Sequence, residues 1–447
     1  MSKSSYRARI DIEPRCSRDE IFDVNDQVQE LFLSGMSGDG AAHVWEHLRE
    51  GRGLSDEVAH AEGLGYVPDA ENVVRDFAVE RGISLELMAG AGLLYRSSFG
   101  ASKAFRSQRG RAAETDEELT RFFFDEGLAE DPDYYFDYPL CRTPDGKSLS
   151  GNWLTIPIRS RDGDGDVRIA GFQFRSMRPA EEIGKRGRYM SPLNSPAISW
   201  SEILIGLAEE RRRIDETGTA VFAEGKFDQL AIKDSLRRVG VPDDRMPGVI
   251  ALGGASIRGI EPSGEDGEFT AGVLDLVQAR HVYLFMDGDD AGTTAAIEMG
   301  TALSRLGSAV SVVRVRDGEV ELPDQNDREP VSAKDPGDLL KHYGPEGIAH
   351  ALKVGRMRGI ATFAAEEMEA QLAESPVSGQ LRRRLEALDQ MVPVLSALSD
   401  EVRQKAVGRV ARSIGLDPAV ISLAISPEIV QASLSEQGRA AGRRAVV

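Results

Sequence analysis

His281-Val282-Tyr283-Leu284-Phe285-Met286-Asp287-Gly288-Asp289-Asp290-Ala291-Gly292 is a β-branched and aromatic run that ends in acids and glycines. The run reads as a buried strand and the acids as the loop that leaves it. The same pattern occurs upstream, where Thr219-Ala220-Val221-Phe222 leads into Ala223-Glu224-Gly225-Lys226-Phe227-Asp228. A third acidic loop, Lys334-Asp335-Pro336-Gly337-Asp338, follows the run 309–315 after a longer polar stretch. From about 216 to 345 strands alternate with helical stretches, which implies βα units and a parallel sheet. Carboxylates just past the C-terminal ends of neighbouring parallel strands converge on one edge, where α/β proteins place their sites. Crowded carboxylates resist ionising together unless a cation sits between them. Oxygen ligands with few His or Cys nearby favour Mg²⁺ or Mn²⁺ over zinc, and such a site suits phosphoryl or nucleotidyl chemistry. Taken alone, Asp287-Gly288-Asp289 is also a common turn with Asx hydrogen bonds. A calcium loop fits less well, because Ala291 stands at a ligand position and a strand precedes the loop.

The composition is that of an ordinary soluble protein, with 41% hydrophobic and 28% charged residues in 447, enough for two or three domains. No run approaches the roughly 18 apolar residues of a membrane span, and the first residues lack the apolar stretch of a signal peptide. Cys16 and Cys141 are too few for a metal knuckle or a disulfide framework, so a reducing, cytoplasmic setting is expected. A net charge of −19 argues against a protein that coats nucleic acid, though not against an enzyme with a local basic track. The absence of Gly-x-x-x-x-Gly-Lys-Ser/Thr excludes a P-loop helicase.

Along the chain, residues 1–25 read as a flexible segment and 428–447 as a disordered tail. From Val24 to Gly53 the pattern is helical, with Val28, Leu31 and Phe32 at helix spacing. In Arg52-Gly53-Leu54-Ser55 and Arg81-Gly82-Ile83-Ser84, serine reads as a helix N-cap. Residues 96–150, rich in charge, glycine and aromatics, read as a partly ordered insertion. A hairpin follows, with the Asp162-Gly163-Asp164-Gly165-Asp166 turn between 153–158 and 167–174. After Gly344 the pattern is helical to about 427.

Taken in order, Glu224-Gly225, Asp287-Gly288-Asp289 and Asp335 resemble the Toprim signature shared by bacterial primases and type IA and II topoisomerases. Asp228, four residues after Glu224, is similar to the Glu-Gly-x-x-Asp form of DnaG-type primases. Ile156-Pro157-Ile158 with Gly171-Phe172-Gln173-Phe174-Arg175 resembles the primase Phe-Pro-Ile and Phe-Gly-Gly-Arg pair. Arg188-Tyr189-Met190-Ser191-Pro192 and Leu204-Ile205-Gly206-Leu207 continue the likeness, which covers about residues 28–427. There are departures. No Cys/His cluster corresponds to the family's zinc ribbon, Trp200 stands where a lysine is usual, and the second acid of the last loop is one position late.

The resemblance implies an α/β fold. A Toprim-type parallel sheet with flanking helices (216–345) would follow a mixed α+β primase N-terminal subdomain (26–215) and precede a helical subdomain (346–427). It implies a DNA primase that makes short RNA primers on single-stranded DNA from ribonucleoside triphosphates, with Mg²⁺ or Mn²⁺ and no zinc in this chain. Asp287, Asp289, Asp335 and Asp338 would serve the metal, Asp228 would orient the network, and Glu224 would complete the metal shell or deprotonate the attacking hydroxyl. Arg175, Arg188, Tyr189, Lys226 and Lys334 would hold nucleic acid or nucleotide. Expected partners are a replicative helicase and a separate zinc-ribbon chain, with no membrane. The expected setting is the bacterial cytoplasm, as for the pared-down primases of phages and plasmids. Two other functions compete: a Toprim nuclease, and a non-catalytic template-binding subunit of the replication machinery.

Overall fold

The computed structural model describes residues 16–139, 141–142, 148–149, 151–183, 188–191, 195–199, 203–252, 274, 276–313, 333–355, 358–373 and 379–426. Trp200, the acidic stretch 263–268 and the expected disordered tail fall outside them. Two compact units are present: Met1–Gly51 with Ser55–Trp200, and Arg52–Leu54 with Ser201–Val447. This division differs from the three subdomains expected from sequence.

In the first unit, helix Arg18–Met36 begins inside the stretch expected to be flexible. The reason is a capping box: Ser17 Oγ accepts from Glu20 N–H at 3.2 Å, and Glu20 Oε2 accepts from Ser17 N–H at 2.7 Å. The helix buries Ile21, Phe22, Val28 and Phe32, and Phe32 meets Phe172 edge-on at 5.0 Å. The sheet beneath is antiparallel, in the order Gly65–Val67, Trp153–Arg161, Val167–Ser176, Tyr189–Met190. Its central pair is the expected hairpin. Asp162 Oδ1 accepts from the Asp164 and Asp166 N–H groups at 3.0 and 2.9 Å, the Asx turn chemistry that closes it. The expected insertion is better ordered than its composition suggests. It carries helices Ser98–Arg109 and Asp116–Asp125, and buries Phe105, Phe122 and Phe123. Its aromatics form a small core, a role that a periodicity search around charged and glycine-rich neighbours does not reveal.

The second unit holds four parallel strands in the order Gly248–Ala251, Thr219–Ala223, His281–Phe285, Ala309–Val312. Ala220, Phe222, Ile250, Val282 and Leu284 are fully buried, as expected for a parallel sheet covered on both faces. Helix Ile360–Ala373 and those that follow share one continuous core with the sheet, so the helical end is not a separate body. The last strand is Ala309–Val312, and 314 and 315 of the expected run lie outside the described residues. Among the described residues no helix is long and apolar enough to cross a membrane.

One charged group lies deep in this unit. Glu210 is 1% exposed and pairs with Lys233 at 2.7 Å and Arg213 at 3.0 Å. Removing Lys233 leaves the buried Glu210 carboxylate with Arg213 as its remaining cationic partner, so its charge is poorly compensated. Lys233→Met should therefore lower unfolding free energy by about 3 kcal/mol in urea titration. The double change Glu210→Leu with Lys233→Met should recover most of that loss.

Candidate active site

Strand order in the second unit creates a crevice. Thr219–Ala223 is the first of its four strands in the chain; the next, Gly248–Ala251, pairs on one side and the third, His281–Phe285, on the other. The chain thus reverses direction across the sheet between Thr219–Ala223 and His281–Phe285, and such switch points open a ligand crevice at the strands' C-terminal ends. Glu224 follows the first of these strands directly and Asp287 stands two residues past the other. The Asp287 N–H donates to the Glu224 carboxylate across the gap.

The three acidic loops are tied together by backbone bonds. Gly288 N–H donates to Lys334 O at 2.7 Å, joining the second loop to the third. Asp289 caps helix Asp290–Arg305, accepting from Gly292 N–H at 2.8 Å. Asp335 caps helix Pro336–Gly355 through Asp338 N–H at 2.6 Å, and Asp338 Oδ2 accepts from Lys334 N–H at 3.4 Å. Asp228, in the first turn of helix Lys226–Arg238, accepts from Gly337 N–H at 3.2 Å. Gly292 sits so close to the second loop that a Cβ there would lie 2.2 Å from Asp287 O.

Electrostatics mark these acids out. Burial, then repulsion from Glu224, Asp228, Asp335 and Asp289, pushes Asp287 up to about 8. Burial, then the Asp335 charge, pushes Asp228 up to about 7, although Arg52 and the Gly337 N–H oppose it. Glu224 and Asp335 are raised too, by burial first. At neutral pH such a cluster retains protons that a divalent cation can replace. The donors are carboxylate oxygens throughout, the set that suits Mg²⁺ or Mn²⁺. Among the described residues, however, no three His, Cys, Asp or Glu side chains converge tightly enough to hold a cation as they stand. Their backbone partners hold them in one field without closing them into a cage.

Read from sequence, Arg52 has no role at the site, although it stands in the Arg52-Gly53-Leu54-Ser55 segment. Its guanidinium carbon lies 4.8 Å from the centre of the Phe227 ring, and its charge lowers both Asp228 and Asp335. Gly53, at φ +71°, packs within 3.3 Å of Lys341 Cα at its notional Cβ, and its carbonyl accepts from Arg238 at 3.1 Å. Only a residue tolerant of positive φ lets the chain make this approach and deliver Arg52. Lys226, the first residue of helix Lys226–Arg238, is 4% exposed and so lies inside the fold rather than on its surface. Lys334 is exposed and its charge lowers Asp335. Arg175, Arg188 and Tyr189 belong to the first unit. Arg175 is buried there, opposite Tyr189 in the strand register, and donates to its hydroxyl at 3.2 Å; Arg188 is exposed.

Comparison with known proteins bears on what this arrangement belongs to. No protein-family model matches the chain. It is 24% identical over 416 residues to a DNA primase of Myxococcus xanthus, covering 92% of this chain and 53% of that protein. It is 20% identical over 400 residues to a DNA primase of Staphylococcus aureus, covering 89% and 51%. The chain thus spans about half the length of the curated relatives it matches. Among solved structures, the RNA polymerase domain of Mycobacterium tuberculosis primase DnaG superposes with a TM-score of 0.57 at 18% identity, over 89% of this chain and 99% of that one. A DnaG primase catalytic domain bound to ssDNA gives 0.56 at 18%, over 90% and 98%. The fold is that of the DnaG primase catalytic core. The zinc-binding and RNA polymerase domains of Aquifex aeolicus primase give 0.55 at 20% identity, over 91% of this chain and 75% of that one. The likeness of fold therefore runs through nearly all of the chain.

Proposed function

We propose that this chain is a primase catalytic core that joins ribonucleotides on a single-stranded DNA template, using the second unit as a Toprim domain. One observation carries the reading: four carboxylates raised by burial and mutual repulsion stand at the switch point of a parallel sheet in a primase-type fold. Asp287 and Asp289 would hold a divalent cation, with Asp335 and Asp338 assisting. Side-chain rotation from their present hydrogen bonds would bring them together. A cation bound there neutralises triphosphate charge and positions it for in-line attack.

The protein's own groups supply the rest. Glu224, raised from its usual range by burial first, would complete the metal shell or take the proton from an attacking 3′-hydroxyl. Asp228 fixes the Gly337 N–H and with it the start of the helix that carries Asp338. Lys334 would meet nucleotide phosphate, and Arg175, Arg188 and Tyr189 would position template by charge and stacking. Lys226, given its burial, would act within the loop's framework. A helicase and a zinc-bearing chain are the partners this reading calls for, in a bacterial cytoplasm.

Labelled ribonucleotides incubated with single-stranded DNA and Mg²⁺ or Mn²⁺ test the reading. Short RNA complementary to the template supports it. Shortened DNA would indicate a nuclease, and retention of DNA without incorporation, even with a zinc-ribbon chain added, a binding subunit. Arg52 offers a finer test. Arg52→Gln removes the charge that lowers Asp228 and Asp335, so the rising limb of the pH–activity profile should move to higher pH. A purely structural role for Arg52 would lower the rate without moving the limb.

A further inference from the structure

The acidic loops leave the C-terminal ends of the parallel strands. A cavity of about 680 Å³ opens at the other end, beside Ser308 and Ala309, where the edge strand begins. This volume lies within the range of small-ligand sites, roughly 300–1,000 Å³. Three helices wall it. Ser304 comes from Asp290–Arg305, Thr362 from Ile360–Ala373, and Val402, Lys405, Arg409 and Arg412 from Asp400–Ile414.

The charge of this lining is unlike that of the chain as a whole. Net charge is −19, yet none of the described lining residues is acidic and three are cations. Lys405, Arg409 and Arg412 follow one another at helical spacing of four and three, which places them on one face. Lys405 is shared with Glu401 at 2.6 Å. Arg409 is aligned by Thr362, donating to its Oγ1 at 2.9 Å. No ion pair joins the Arg412 guanidinium to a carboxylate among the described residues. Ser304 is 8% exposed and its hydroxyl has no hydrogen-bond partner among the described residues, an arrangement that costs free energy until something supplies one. Between these polar groups the wall is apolar, with Val310, Ile360 and Val402.

We propose that this cavity binds an organic phosphate of mononucleotide size, separate from the acidic crevice. Its phosphate sits on Arg409 and Arg412, and its flat apolar body lies on Val310, Ile360 and Val402. Guanidinium forks match phosphate oxygens, and the apolar bed distinguishes a nucleotide from free phosphate. The proposal does not depend on what the acidic crevice catalyses.

The test is calorimetric titration of the full chain with ATP in EDTA, so that metal-dependent binding at the acids is suppressed. One saturable site is expected, with unchanged affinity in Asp287→Asn. Arg412→Glu should weaken it about tenfold or more, since a charge-assisted contact becomes a repulsion. Val402→Trp, at a position 49% exposed, should weaken it similarly by narrowing the mouth while leaving the core intact. Pyrophosphate alone should bind more weakly than ATP. Absence of saturable binding, an affinity unmoved by both cavity variants, or a site lost in Asp287→Asn would overturn the proposal. Pyrophosphate binding as tightly as ATP would overturn its apolar half.

Discussion

Asp287→Asn should lower metal-dependent ribonucleotide incorporation by a factor of about 10²–10³ and yet raise the melting temperature of the metal-free protein at pH 8. The two effects share one cause. Asp287 is pushed up to about 8 because folding buries it among Glu224, Asp228, Asp335 and Asp289. A carboxyl raised in the folded state is favoured there as its protonated form. Its contribution to stability is therefore complete below about pH 4 and is lost as pH climbs towards 8. Asparagine keeps the shape and removes the charge, so the penalty at high pH disappears. For a unit of this size each kcal/mol relieved moves the midpoint by about 2–4 °C. Saturating Mn²⁺ should reverse the order, stabilising the native chain more than the variant. Scanning calorimetry at pH 5 and pH 8, with and without Mn²⁺, checks all three statements. A variant less stable than the native chain at pH 8 without metal would show that the carboxylates are not in mutual strain.

Gly292→Ala should cost about 10²-fold in the same incorporation assay although it changes no acid. The added Cβ would sit 2.2 Å from Asp287 O and 3.1 Å from Asp287 N, so the loop carrying Asp287 and Asp289 must move. The cap from Asp289 to Gly292 N–H would shift with it. Substrate-binding constants should change little, because the groups that grip template lie elsewhere in the proposed scheme. Single-turnover incorporation separates the two quantities, and an unchanged rate would mean that the position of this loop is not critical to the chemistry.

Legibility differed between the two units for physical reasons. In the second, Thr219–Ala223 and His281–Phe285 are short, largely buried apolar runs that lead straight into acid and glycine, so sequence alone set Glu224 and Asp287 next to strand ends. Sheet order was not legible, since pairing of Thr219–Ala223 with strands on both sides is decided by packing far along the chain. Arg52 escaped notice because its contacts with Phe227 and Asp228 span more than 170 positions of sequence. Its only local signal was Gly53, whose positive φ has meaning only beside Lys341. The first unit was harder to read. Its sheet alternates with aromatic clusters such as Phe105, Phe122 and Phe123, which form a core without strict period. The start of helix Arg18–Met36 was signalled by Ser17 and Glu20, but two residues of capping chemistry are a weak signal against a polar background.

Calorimetric titration of Mn²⁺ into the metal-free chain at pH 7, in two buffers of different ionisation enthalpy, bears most directly on the claim that the coupled carboxylates form a cation site. Saturable binding that releases roughly one proton per cation, and a release that is lost in Asp287→Asn, is the predicted result. Binding without proton release, or no saturable binding in the native chain, would contradict it.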